Sequence, residues 1–275
     1  MPETMIEDRE LAALLSLLES ERDDSLAVLL RQLRLFPDGL LQRLAAMVPV
    51  SSPANEYINL VLAERDLTNM RGRLSAWLSA GAPLEEGVLL VARTGYPSVD
   101  PMVVRRGLDD LASDLRPHLP RTPSKEMLDV VAQRLSERHG FHQSSDHYSP
   151  DNSYLNRVLE TRTGLPITLC ILWILLGERL RLPISGVALP GHFIASISTP
   201  NGALYFDPFH AGALRSVRDI WDMVHASGTI FHPNHLRAAT PPQIVRRMFG
   251  NLLHAYQVRE DAPRIRLVRQ YASVL

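Results

Sequence analysis

The sequence predicts an α+β fold, with helices and strands segregated along the chain rather than alternating. Three observations predict it. Apolar residues recur at three and four from Arg9 to about Ala80 and again to His139, which is the period of amphipathic helices. Between Ile184 and Phe206 the period shortens toward that of strands. Helical spacing then returns from Ser216 to the end. With 275 residues and 45% hydrophobic content, the chain can bury a substantial core.

In the first third, Leu11, Leu14, Leu15 and Leu18, then Leu26, Leu29, Leu30 and Leu33, set the helical phase, with breaks at Pro37, Pro49 and Pro53. Gly81-Ala82-Pro83 marks a boundary before a helix from Leu84 to Ala92. Asp100 is placed to cap a helix from Pro101 to Leu115, since proline suits a first turn whose N–H groups lack intrahelical partners. Ser124 to His139 is the next helix, closed by Gly140. From Phe141 to Asn152 polar residues and proline replace the period, so an ordered loop is expected. Tyr154 to Thr161 follows as a short helix, Gly164 as a turn, and Pro166 to Leu180 as an apolar helix opened by its proline. The strands are Ile184 to Leu189, Phe193 to Ser198 and Ala203 to Phe206, the last two joined by the turn Thr199-Pro200-Asn201-Gly202. Ser216 to Ala226 is helical, Thr240 to Gln243 is a capping-box start for a helix to about Arg259, and a last helix follows Pro263.

Charge and composition exclude several functions. Lys and Arg number 29 against 30 Asp and Glu, so nothing electrostatic favours nucleic acid or an anionic membrane as partner. The start MPETMIEDRELAALL is acidic where an export signal needs positive charge, and a cytoplasmic location is expected. A single cysteine, Cys170, excludes an intramolecular disulfide and a Cys-rich zinc site. The apolar run Leu165 to Leu176 is shorter than the roughly 18 residues of a membrane helix and reads as a buried helix.

Four ordered motifs carry a resemblance. They are Asp151-Asn152-Ser153-Tyr154-Leu155-Asn156-Arg157-Val158-Leu159-Glu160, Gly164-Leu165-Pro166-Ile167-Thr168-Leu169, Pro190-Gly191-His192-Phe193 and Phe206-Asp207-Pro208-Phe209. In this order they resemble the second transglutaminase-core family, which includes SirB/YchA-type bacterial proteins and a domain of some F-box proteins. Gly95-Tyr96-Pro97 and Leu108-Asp109-Asp110-Leu111 resemble the region upstream, whereas Phe141-His142-Gln143-Ser144 departs from a Gly-Asn pair after the Phe. Arg246 to Leu253 resembles the junction with tetratricopeptide-like helices. The resemblance implies a transglutaminase-like, papain-like core with a small antiparallel sheet over residues 83–239, after an N-terminal helical region of 1–82. A C-terminal helical hairpin of 240–275, a tetratricopeptide-like remnant, would complete the chain.

The resemblance also implies a Cys at a helix start, a His on one strand and an Asp on the next. Pairing Ser198 with Ala203 makes His192 and Asp207 diagonal neighbours on one face, within about 7–8 Å between backbones. The nucleophile's place is taken by Pro166, and Cys170 lies one turn on, about 6 Å along the axis. Cys170 therefore reads as a core thiol, beside the alternative of a displaced nucleophile. His192 and Asp207 are either a strand-tying hydrogen bond or a ligand-contacting, catalytic dyad. Asn152, Ser153 and Asn156 either cap the helix they open or line a cleft together with Gly164, Pro166, Thr168 and Gly191. His142, Asp146, His147 and Asp151 match no zinc or calcium spacing, and no metal or cofactor is expected. Arg246 and Arg247 read as a solvated helix face, with contact to a partner as the alternative. Two functions stay open: a non-catalytic module binding a protein or peptide partner, and a cysteine hydrolase or acyltransferase using Cys170, His192 and Asp207.

Overall fold

The computed structural model describes residues 8–20, 24–146 and 148–275; the acidic Met1 to Glu7 and His147 lie outside them. Twelve α-helices and six strands are assigned among the described residues. The N-terminal helices are α1 (Asp8–Ser20), α2 (Asp24–Leu33), α3 (Asp38–Met47) and α4 (Pro53–Ser79). The break between α3 and α4 runs from Pro49 to Pro53, and Pro53 opens α4 at the first helical position, where Ser52 Oγ accepts from the Ala54 N–H at 3.1 Å. The first half of α4 joins Leu11, Leu18, Leu33, Leu41 and Leu44 in one apolar cluster through Ile58 and Val61. Its second half enters the main core through Met70, Leu74 and Trp77. One continuous helix thus ties the N-terminal layer to the rest of the chain.

Helices α5 (Leu84–Gly95), α6 (Pro101–Leu115), α7 (Lys125–Gln133) and α8 (Leu155–Thr161) follow. Asp100 caps α6 through the Met102 N–H at 2.8 Å, and Ser124 caps α7 through the Met127 N–H at 3.3 Å. After Gln133 the backbone widens into a π-helical turn, Arg134–Arg138, where a single helix to His139 was expected. The polar stretch after Gly140 contains a short strand, β1 (His142–Gln143), paired in parallel with β2 (Thr163–Gly164), where sequence spacing predicts only a loop and a turn. The ensuing 3₁₀ turn, Pro150–Ser153, leads into α8.

Helix α9 (Pro166–Leu180) is the centre of the molecule. Ile167 through Gly177 are buried without interruption, so the helix cannot be amphipathic in the ordinary sense and must be covered all round. A buried Leu or Ile contributes about 1.5–3 kcal/mol, which makes this helix the main apolar anchor of the core. It packs on an antiparallel meander of β3 (Ile184–Leu189), β4 (His192–Thr199), β5 (Gly202–Asp207) and β6 (Ala213–Arg215), in that spatial order. Phe193, Ala195 and Ile197 of β4 join the α9 core, whereas Ile194 joins Val187 and Leu189 against Ile220 and Val224 of α10 (Val217–Ala226). Alternation along β4 thus serves two apolar layers.

The chain closes with α11 (Pro241–Val258) and α12 (Ala262–Ala272), which pack on each other and on α4, α5 and α9. Ile244, Met248, Leu252, Tyr256, Val268 and Tyr271 are buried in the main core, and Ile265 packs at its margin. The architecture is α+β, and among the described residues no helix is long and apolar enough to cross a membrane.

Candidate functional site

The β4–β5 hairpin and the start of α9 meet at a cleft of about 300 Å³ lined by Pro166, Gly191, His192, Phe209 and Arg247 among others. The register brings the hairpin residues there. Ser198 pairs with Ala203 and Thr199 with Gly202, so the turn itself is Pro200-Asn201. Ala195 pairs with Phe206, which sets Asp207 one step beyond the ladder and diagonal to His192. Gly191 turns the chain from β3 into β4 at φ +74°, a left-handed conformation that favours glycine. A Cβ there would also stand 3.3 Å from Ser227 Cβ, so the tight approach is a second reason for glycine.

Asp207 is fully buried, and its carboxylate meets four hydrogen-bonding groups. Its Oδ2 lies 2.9 Å from His192 Nε2, 2.7 Å from His210 Nδ1 and 3.2 Å from Arg215 Nη2. Its Oδ1 accepts the Phe209 N–H at 3.1 Å. Burial pushes the carboxyl pKa up, but the hydrogen bond and charge of His192, then those of His210, outweigh it and bring it down to about 2. Asp207 is therefore an anion at neutral pH that fixes one nitrogen of His192. The imidazole meets Asp207 through Nε2.

Cys170 has a different environment. It is fully buried, and its Sγ donates to the Phe193 carbonyl at 3.5 Å. Burial first, and the negative charge of Asp207 second, push the thiol well above its ordinary value. A thiol in that state carries no useful thiolate at neutral pH. Pro166, at the helix start, has no nucleophilic atom but faces the cleft.

The other predicted residues divide among three places. Thr168 ties the helix start to the loop behind it: its hydroxyl accepts the Leu165 N–H at 2.9 Å and donates to the Asn152 carbonyl at 2.7 Å. Asn152 Nδ2 in turn donates to Ser144 Oγ at 2.9 Å and to the Asp146 carbonyl at 2.5 Å. Gly164 is buried in β2, and its carbonyl accepts the Ser144 N–H at 3.2 Å. These three support the cleft from behind. Ser153 is fully buried, and its Oγ has no hydrogen-bond partner among the described residues. Asn156 lines a separate cavity of about 460 Å³ between α3 and α4 on one side and α6 and α8 on the other, away from His192.

Sequence spacing did not single out His210, Arg215 or Asn251. His210 follows Asp207 by three in a 3₁₀ turn, a spacing that eclipses side chains and could have been read. Arg247, Asn251 and His254 share one face of α11 at i, i+4 and i+7, and all three line the cleft. The expectation of a solvated face at Arg247 is thus corrected: it is partly buried over the cleft, whereas Arg246 is exposed and reaches the Leu275 carbonyl.

His192, Asp207 and His210 carry three donor atoms within 4.8 Å of one another, a set of two imidazoles and a carboxylate that a zinc-like ion accepts. Arg215, bonded to the same carboxylate oxygen, competes with a cation there. In the loop, Asp151 is engaged by Tyr96 and Arg157, His142 Nδ1 lies 2.8 Å from the Gly140 carbonyl, and Asp146 accepts the Tyr148 N–H at 3.0 Å. These three form no ligand set among the described residues.

Comparison with known proteins places the chain by sequence. A UPF0162 protein of Xylella fastidiosa (strain 9a5c) is 32% identical over 185 residues, covering 63% of this chain and 65% of its own length. A UPF0162 protein of Pseudomonas aeruginosa is 28% identical over 173 residues, 62% of this chain and 63% of its own length. F-box only protein 21 of Homo sapiens is 27% identical over 118 residues, 39% of this chain and 18% of its own length. The chain therefore spans less than two thirds of the length of these relatives. No solved structure matches it. The sequence model of the Transglutaminase-like superfamily matches residues 103–250, just over half of the chain, a range that holds Pro166, His192, Asp207 and Arg247 but not Asn251 or His254. The chain belongs to the transglutaminase-like superfamily.

Proposed function

We propose that the protein is a non-catalytic transglutaminase-like module of the SirB type, whose cleft receives a segment of a protein or peptide partner and serves interaction or regulation. The observation that carries this reading is the full burial of Cys170, the one thiol, with its proton held toward the Phe193 carbonyl. Nucleophilic catalysis needs a thiolate within about 3 Å of its base, and here burial opposes the thiolate. Pro166 at the cleft wall supports the reading, because it puts an apolar ring where a nucleophile would stand. Helices α11 and α12 form a tetratricopeptide-like hairpin in this reading, and α11 contributes Arg247, Asn251 and His254 to the binding wall.

A second reading, a cysteine hydrolase or acyltransferase in which His192 is base and Asp207 its orienter, is favoured by the ordered 2.9 Å contact between them. Thiol labelling separates the two. Under native conditions at pH 7, Cys170 should react with an aromatic disulfide reagent only as fast as the protein opens. Rapid labelling of folded protein would favour the enzyme.

A further inference from the structure

Behind the His192 cleft, Asp207 meets His192, but no carboxylate meets Arg247, the cleft's guanidinium, among the described residues. Arg247 projects from α11 at its edge, and its hydrogen bond is a long one, 3.4 Å to the Leu189 carbonyl. No carboxylate lies within ion-pair distance of it among the described residues, whereas Arg105, Arg157, Arg179 and Arg264 each have one. Burial depresses its pKa with nothing offsetting the loss of hydration. His192, Asn251 and His254 also line the cleft, and no Asp or Glu does. Leu165, Pro166, Ile167, Phe193 and Phe209 complete the wall. A partly desolvated guanidinium without a carboxylate partner is costly, and a bound anion lowers that cost.

We propose that the cleft binds a carboxylate carried on an apolar peptide segment, with Arg247 as its ionic partner. The planar fork of Arg247 suits the two oxygens of a carboxylate. The apolar wall suits the flanking side chains of a peptide better than a free, fully hydrated phosphate. The carboxylate is either a chain terminus or an Asp or Glu side chain, since both present the same group. This inference rests on the non-catalytic binding reading, but Cys170 labelling tests that reading separately. An inert thiol with no carboxylate binding sinks only the inference.

The test is a calorimetric or NMR titration of the full chain with four probes. They are acetyl-Leu-Leu-Phe with a free C-terminus, the same peptide as its C-terminal amide, acetyl-Leu-Glu-Phe-amide, and inorganic phosphate. One or both carboxylate peptides should bind about tenfold or more tighter than the neutral amide, and which of them does so identifies the carboxylate's source. Arg247→Gln should remove that preference, and Arg247→Lys should restore part of it. His254→Leu, at an exposed position, is a second variant that should weaken binding without threatening the fold. Equal affinity of both carboxylate peptides and the neutral amide would overturn the proposal. So would a preference unchanged in folded Arg247→Gln, or phosphate binding as tightly as the carboxylate peptides.

Discussion

The β4–β5 hairpin and the start of α9 meet at one cleft, and each buries a polar group completely, Asp207 on one side and Cys170 on the other. Asp207 is surrounded by donors: two imidazoles, a guanidinium and a backbone N–H. Cys170 is surrounded by apolar side chains and offered a single carbonyl. The donors keep the carboxylate ionised in a dry site, and the apolar shell keeps the thiol protonated in an equally dry one. Burial alone therefore decides nothing about reactivity. What decides it is which partners are buried alongside: donors around Asp207 and apolar side chains around Cys170.

Removing Asp207 should have the largest effect. Asp207→Ala leaves His192, His210 and Arg215 clustered without their anion, and urea denaturation at pH 7 should show a loss of about 3 kcal/mol, in the range for breaking a buried ion pair. A loss no larger than that of an exposed Asp→Ala control would mean the cluster is solvated after all. The pH dependence is the next largest effect. Asp207 is depressed from 3.8 to about 2, so its contribution is complete above about pH 4 and is lost as pH falls through about 2. That difference corresponds to roughly 2 kcal/mol. Denaturation curves at pH 6, 4 and 2.5 should show this decline in the wild type and a shallower one in Asp207→Asn. Parallel declines would contradict the assignment. Cys170→Ser should cost least, about 1 kcal/mol, because a hydroxyl can replace the thiol toward the Phe193 carbonyl while losing some apolar burial. A loss above about 3 kcal/mol would show that the thiol's packing had been underrated.

Much of this comparison was legible before any coordinates. The cap at Asp100, the proline start of α9 and the Ser198–Ala203 pairing each rest on a local rule, and each is observed. The diagonal placement of His192 and Asp207 followed from strand alternation once the turn length was set. The pairing of β1 with β2 was not legible, because two-residue strands separated by α8 have no period to read. The third strand partner, β6, is three residues long and equally silent, and Arg215 reaches Asp207 only because β6 pairs with β5. Arg247 was misjudged for another reason. Its charge suggested solvent, although its phase with the buried Ile244 and the cleft-facing Asn251 already turned it inward. Charge in a sequence tells what a residue prefers, and helical phase tells where it is held.

The proposed non-catalytic reading turns on the position of Cys170 in α9, and not on the lack of a cysteine. It is tested most directly by comparing thiol labelling at pH 7 in the wild type with labelling in the double variant Pro166→Cys, Cys170→Ser. The new thiol would stand at a helix N-terminus in the His192 cleft, where a lowered pKa is expected, and should react on the order of 100-fold faster than Cys170. Wild-type labelling should stay slow until denaturant is added. A wild-type protein that labels as fast as the double variant while folded would contradict the account.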